Sequence, residues 1–345
     1  MRVGIYTHYA HCDQAYLAAR LGQLLLKVGA DFSIYSDCAP AKLGLKFDAG
    51  ITTRKNMRFT DWARDKSVII WTHVPVAEQI LWAKKRKIHT TIAPMWQELR
   101  PPFRKALNSA HCVVTMSAEC QTLFSEIYKI KSAQLIPFDT GLPIVKKNKP
   151  IDPRNVKLFL PWFDRNARCA GGPLIDAIKF FIEHTEDARL DVAITTSQFS
   201  PSICKFFRNL GQKTGRLGLI KRAPVPQRPE LYAKADLTIC PAECDNYGLC
   251  ALTSITVGTP VLTTAVPPQI DFLHPDENAG LLLTKTDYDE NGVIHAVPDY
   301  GQFIYLLQHL VHEPRYIQKM NQKTNYNLNS RRNAFEMGWM NVFDA

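Results

Sequence analysis

The sequence predicts an α/β protein built of two Rossmann-like, doubly wound domains that face a cleft. Three observations carry this expectation. Short β-branched runs alternate with amphipathic helical stretches, the pattern of a parallel sheet covered on both faces. The alternation stops at "GLPIVKKNKPIDPRN" (141–155), which holds three prolines and three lysines and no long apolar run, and then restarts. A length of 345 residues suits two domains better than one. The expected division is therefore 1–150 and 151–328, with 329–345 as a C-terminal helix returning to the first domain.

In order along the first half, strands are expected at 2–6, 31–35, 67–71, 90–93, 112–115 and 134–137, each rich in Val, Ile, Thr or aromatic residues. Between the first two, Ala15, Leu17, Ala18, Leu21, Leu24, Leu25 and Val28 recur at helical spacing, as do Leu123, Phe124, Ile127 and Tyr128 further on. In the second half, strands are expected at 156–161, 190–194, 217–220, 236–240, 260–264 and 280–283. Helices fit 172–184, 201–211, 229–235 and 248–257. Three helical stretches close the chain near 300–312, 314–325 and 331–343. The "DYD" at 287–289 sits in the polar "TKTDYDENG" and reads as a surface turn.

Composition narrows the class. Hydrophobic residues make up 46% of the chain, enough for real cores. No run approaches the roughly 20 apolar residues of a membrane span, and the chain enters "VGIYT" with no signal-peptide pattern. Nine cysteines without paired spacing fit reduced thiols. A cytoplasmic protein is expected, in the host cytoplasm if the source is viral. GxGxxG, P-loop and zinc-hydrolase patterns are absent, which weakens dehydrogenase, kinase and metallohydrolase readings. Cys240, Cys244 and Cys250 have neither CxxC spacing nor a nearby His, so they do not suggest a metal site. The net charge of +10 is one-sided: residues 1–150 carry 22 Lys/Arg against 11 Asp/Glu, while 151–345 carry 20 against 21. An anionic partner would meet the first half.

The stretch most suited to chemistry is "PAECDNYGLCALTSITVGTP" (241–260). It reads as a strand end, a tight turn through Asp245, Asn246, Tyr247 and Gly248, and a helix starting near Leu249. Unpaired N–H groups at a helix start attract an anion. Asp245 beside that anion would suit sugar hydroxyls. The same residues also fit an ordinary turn with a capping Asp or Asn.

With its flanking strands, this stretch resembles the C-terminal domain of the retaining GT-B glycosyltransferases of the group 1 family. Their pattern is a strand, then S/A-x-x-E-G-F-G-L-x-x-L-E-A-M-A-x-G-x-P-V, then a strand. Here Asp245-Asn246-Tyr247-Gly248-Leu249 matches E-G-F-G-L, Leu252 the buried Leu, and Val257-Gly258-Thr259-Pro260-Val261 the end. Weaker likeness covers "VVTMSAECQTLF", "LIPFDTGLP" and "HEPRYIQKMNQ". The resemblance implies a GT-B architecture, a nucleotide-sugar co-substrate (a UDP-sugar above all) and no required metal.

The family's two glutamates map to Asp245, at the transferred sugar, and Thr253, at the nucleotide ribose. Asp is shorter by about 1.5 Å, and Thr cannot clamp a diol as a carboxylate does. By the same resemblance Arg165 and Arg168, in "WFDRNARCAGG", would neutralise the leaving diphosphate. The usual Gly-Arg and Lys-Gly are absent there, and Pro267 and Pro268 stand where a phosphate-binding Gly-Gly loop often lies. His73 in "IIWTHVP" would lie near the transferred sugar, and Thr7, His8 and Tyr9 would form the acceptor-side loop.

The family's first domain takes the acceptor, and its charge here points to an anionic one. Lys84, Lys85, Arg86 and Lys87 follow Trp82; Arg100 and Arg104 accompany Trp96 and Phe103; a third basic stretch (53–66) holds Phe59 and Trp62. Cations with interleaved aromatics suit nucleic acid or an anionic bilayer. Three separate basic segments fit an extended groove, and the chain also resembles phage enzymes that add sugars to hydroxymethylated pyrimidines in DNA. DNA is therefore favoured as acceptor over a membrane or polysaccharide precursor. A non-catalytic nucleic-acid or sugar-nucleotide binding protein remains the reading of another class. No protein partner is inferred.

Overall fold

The computed structural model describes the chain except residues 10–12, 41–49, 74–75, 96–100, 148–149, 163–170, 195–200, 222–228, 243–244, 246, 275–278, 283, 289–293, 325–326 and 345. The chain forms two compact units. One comprises Met1–Gly141, Tyr288–Val293 and Asn329–Ala345; the other comprises Leu142–Asp287 and Ile294–Leu328.

The first unit alternates β1 (Arg2–Thr7), α1 (Asp13–Lys27), β2 (Asp31–Ser36), β3 (Thr52–Thr53), α2 (Phe59–Trp62), β4 (Val68–Trp71), α3 (Ala77–Lys85), β5 (His89–Ile92), α4 (Arg104–Ser109), β6 (Cys112–Thr115), α5 (Ala118–Glu126) and β7 (Ala133–Leu135). The strands form one sheet in the order β3-β2-β1-β4-β5-β6-β7, and every recorded pairing is parallel. All four residues of β4 are buried, as expected of a strand covered on both faces. Gly4 lets the backbone of β1 approach an indole: a Cβ there would come within 2.7 Å of the Trp62 ring. Ser117 caps α5 by accepting from Cys120 N–H.

The second unit alternates β8 (Val156–Trp162), α6 (Gly171–His184), β9 (Ala188–Ile194), α7 (Pro201–Thr214), β10 (Leu217–Lys221), α8 (Pro229–Lys234), β11 (Leu237–Cys240), α9 (Leu249–Thr256), β12 (Val261–Thr264) and β13 (Ala279–Leu282). These strands order as β10-β9-β8-β11-β12-β13, again parallel. Leu158, Leu160, Phe181, Val192, Phe207 and Leu237 lie in its core. β14 (Thr284–Tyr288) and β15 (Ile294–Pro298) form a separate two-stranded sheet. The sequence reading of a surface turn at "DYD" is thereby corrected: Asp287 and Tyr288 end a paired strand, and Asp289 lies outside the described residues.

α10 (Tyr300–His312) and α11 (Arg315–Asn321) complete the second unit, and α12 (Leu328–Asp344) closes the chain. In the first unit, the Arg331 side chain donates to the Phe138 carbonyl at 2.7 Å, and Arg20 binds both Asp139 (3.0 Å) and Glu336 (3.1 Å). Phe335 meets Phe138 edge-on.

Candidate functional site

Each sheet has one point where strand order reverses, and ligands of doubly wound sheets bind outside the strand C-termini there. In the first unit the reversal lies between β1 and β4, and in the second between β8 and β11. His8 directly follows β1 and His73 lies two residues past β4. The turn at Asp245 follows β11, and the segment with Arg165 and Arg168 follows β8. Those two arginines, together with Asn246, Trp96 and Arg100, lie outside the described residues.

In the second unit Asp245 organises the turn. Its Oδ1 accepts from the N–H groups of Tyr247 (3.2 Å) and Gly248 (2.8 Å), while Oδ2 accepts from Gln269 Nε2 at 2.9 Å. Bonds to the N–H groups two and three residues on are those of an Asx-type turn; the residue that caps α9 is Gly248, with no side-chain cap bond. Gly248 has a left-handed φ of 65°, and a Cβ there would fall 2.6 Å from the Phe272 ring, so both backbone and space require glycine. Leu252 N–H makes the first backbone bond of α9, to Gly248 O. The start of a helix carries the positive end of its dipole and so favours negative charge.

Tyr247 and Leu249 are core residues and shape the turn from within. Thr253 is fully buried, and its hydroxyl lacks a hydrogen-bond partner among the described residues. Thr264 Oγ1 and Gln269 Oε1, on β12 and the turn after it, are also buried and unpaired. Sequence reasoning missed Gln269. It lies in "AVPPQIDF", which was read only for the N–H groups its prolines remove.

In the first unit Asp37, also missed, joins the two histidines. His8 Nδ1 is 2.9 Å from Asp37 Oδ1, and His73 Nε2 is 3.7 Å from Asp37 Oδ2. The rings stand 5.6 Å apart. Gln14 Nε2 lies 3.4 Å from His73 Nδ1. Burial pushes the His73 pKa down; the Asp37 charge opposes this and His8 adds to it. Cys38 follows Asp37, and burial pushes its thiol pKa up. The only sequence signal for Asp37 was its place just past a strand, beside those of His8 and His73. Thr7 and Tyr9, expected beside His8 on the acceptor side, are instead fully buried. The Thr7 hydroxyl lies 2.7 Å from that of Thr72. Of the three only His8 is partly exposed.

Lys84 and Lys85 end α3, and with Arg86, Lys87 and Arg104 they are exposed. Arg86 stacks on Trp82, 4.0 Å from the ring centroid. The expectation of surface aromatics at 53–66 is corrected. Phe59 and Trp62 are core residues, packed with Tyr35, and Trp62 Nε1 donates to Ser33. Their burial gains too much apolar contact for them to serve as exposed stacking platforms.

No protein-family model and no curated protein sequence matches the chain. Solved structures do. The pneumococcal O-GlcNAc transferase GtfA, in complex with UDP and GlcNAc, superposes with a TM-score of 0.76 over 100% of this chain and 99% of its own, at 8% identity. HepE of Anabaena, in complex with UDP, gives 0.74 over all of both chains at 12% identity. The chain has the GT-B fold. The sucrose-phosphate synthase of Thermosynechococcus elongatus, at 0.73, 12% identity and 98% coverage of its own chain, shares it. In this GT-B chain the expected donor turn and the expected acceptor loop each stand at the switch point of their own sheet.

Proposed function

We propose that the protein is a retaining glycosyltransferase that moves a sugar from a UDP-sugar to an anionic acceptor, a hydroxymethylated pyrimidine in DNA. The observation that carries this is the Asp245–Gly248 turn with its helix start, placed at the switch point of a GT-B C-terminal sheet. Solved relatives of the same fold hold UDP, which supports a UDP-sugar donor. In the reaction the acceptor oxygen bonds to the anomeric carbon, and the bond from that carbon to the diphosphate oxygen breaks. UDP leaves with the electron pair and the acceptor proton is lost. Arg165, Arg168 and the start of α9 stabilise the diphosphate, so no metal ion is required. Asp245 orients the sugar, its carboxylate held in place by the turn it organises. The family pattern assigns Thr253, buried in the structure, to the ribose, and His73 to the transferred sugar. Retention follows from the family resemblance.

The cations at 84–87 and Arg104 support a polyanionic acceptor. On α3 the apolar Ile80 and Ala83 are buried, and the exposed residues are charged: Glu78 in the first turn, Lys84 and Lys85 in the last. That favours phosphate contact over insertion into a bilayer, which needs an outward apolar face. No described helix is long and apolar enough to cross a membrane. The test is a panel of nucleotide sugars with hydroxymethylated DNA and with lipid-linked acceptors, read by mass spectrometry. A hexose or pentose mass gain on the nucleoside is expected. Gain only on lipid overturns the DNA acceptor. No turnover with any donor, with Asp245→Ala binding UDP-sugars as wild type does, overturns the enzyme reading in favour of a binding protein.

A further inference from the structure

We propose that His8, Asp37, Cys38 and His73 form a binding site for a divalent transition-metal ion of the zinc class. His8, Asp37 and Cys38 each offer a ligand atom, and all three atoms lie within 4.8 Å of one another. They come from two loops that leave adjacent parallel strands, β1 and β2. His73 arrives from the end of β4 on the other side of β1 and brings Nε2 to 3.7 Å from Asp37 Oδ2. Ligands of a tetrahedral zinc ion lie ~3.3–3.8 Å apart, given bond lengths of ~2.0–2.3 Å. The His73 to Asp37 separation, 3.7 Å, falls within that spacing, and the His8 to Asp37 hydrogen bond, 2.9 Å, is shorter than it.

The donor set selects the ion. Two imidazoles, a thiol and one carboxylate are the mixture that zinc, cobalt(II) and copper accept, and that magnesium and calcium do not. The surrounding contacts orient the ligands. Gln14 lies against His73 Nδ1, which directs Nε2 towards Asp37, and Ser36 Oγ lies 3.4 Å from Cys38 Sγ. A simple carboxylate link between two histidines would account for Asp37 but gives the thiol no part. A metal site uses all four groups.

This site shares His73 with the transfer proposed above, which itself uses no metal. Its occupation would withdraw His73 from the sugar, so the ion would inhibit transfer. The test therefore does not depend on activity. The full chain, reduced and stripped of metal, is titrated with cobalt(II), and absorbance is followed. One equivalent should bind, with a thiolate-to-cobalt charge-transfer band in the near ultraviolet. Cys38→Ser should abolish that band, and His73→Ala should keep it while weakening binding at least tenfold. Asp37→Asn should also weaken binding. A wild-type titration without the band, or a band that survives Cys38→Ser, overturns the proposal. Circular dichroism melts of the variants establish that each is folded. Loss of the transferase reading would leave these spectra unchanged.

Discussion

Thr253 carries the most specific residue-level expectation. Its side chain is fully buried and its hydroxyl unpaired among the described residues, and an unmet buried donor costs about 1–3 kcal/mol. Thr253→Val keeps the shape and removes that cost. It should leave the ligand-free protein as stable or up to ~1 kcal/mol more stable in urea melts, while weakening UDP binding by calorimetry. Equal UDP binding would show that this hydroxyl does not meet the ribose. Gly248 is the opposite case. Gly248→Ala places a Cβ against Phe272 at a left-handed φ and should destabilise the fold by about 2 kcal/mol or more. The same change displaces the Asp245 turn, so UDP affinity should fall with it.

At the scale of elements, α12 is tied to the first unit through charge. Arg20 and Asp139 are each only 8% exposed, and Asp139 also accepts from Gly141 N–H and Arg332. Arg20→Met strands this carboxylate with fewer partners and should cost about 3–5 kcal/mol, measured by urea denaturation. Glu336 gives the pH dependence. The Lys27 ammonium, then Arg20, hold its carboxyl below the usual range. The stabilisation is fully present above the unfolded value of about 4.3 and is lost as pH falls through the lower folded value. Wild type should therefore lose more stability than Glu336→Gln on acidification below about pH 5, in thermal melts at stepped pH.

For the whole molecule, the charge asymmetry predicts how the acceptor is held. If the first unit meets DNA, binding should weaken steeply with salt. Replacing Lys84, Lys85, Arg86 and Lys87 together by Ala should flatten the log–log salt slope by up to about 3–4. Fluorescence anisotropy on hydroxymethylated duplexes measures it. An unchanged slope would place the contact elsewhere on the molecule.

The alternation of apolar runs by itself determined the two parallel sheets, because strands covered on both faces are built of apolar and β-branched residues, as "VIIW" and "CVVT" are, and both are buried throughout. It also located the turn at Asp245, since glycine and short polar residues between a strand and a helix have few other uses. β3, with two residues, is too short for a period to show, and β14, "TKTDY", has no apolar run. Which side chains face outward was decided only by the tertiary structure. Phe59, Trp62, Thr7 and Tyr9 look like surface or site residues in sequence and are claimed by the core. Asp37 and Gln269 gain meaning only from partners 29 and 24 residues away, His8 and Asp245. Local pattern records the period of an element, whereas a site is an agreement among loops that only strand order brings together.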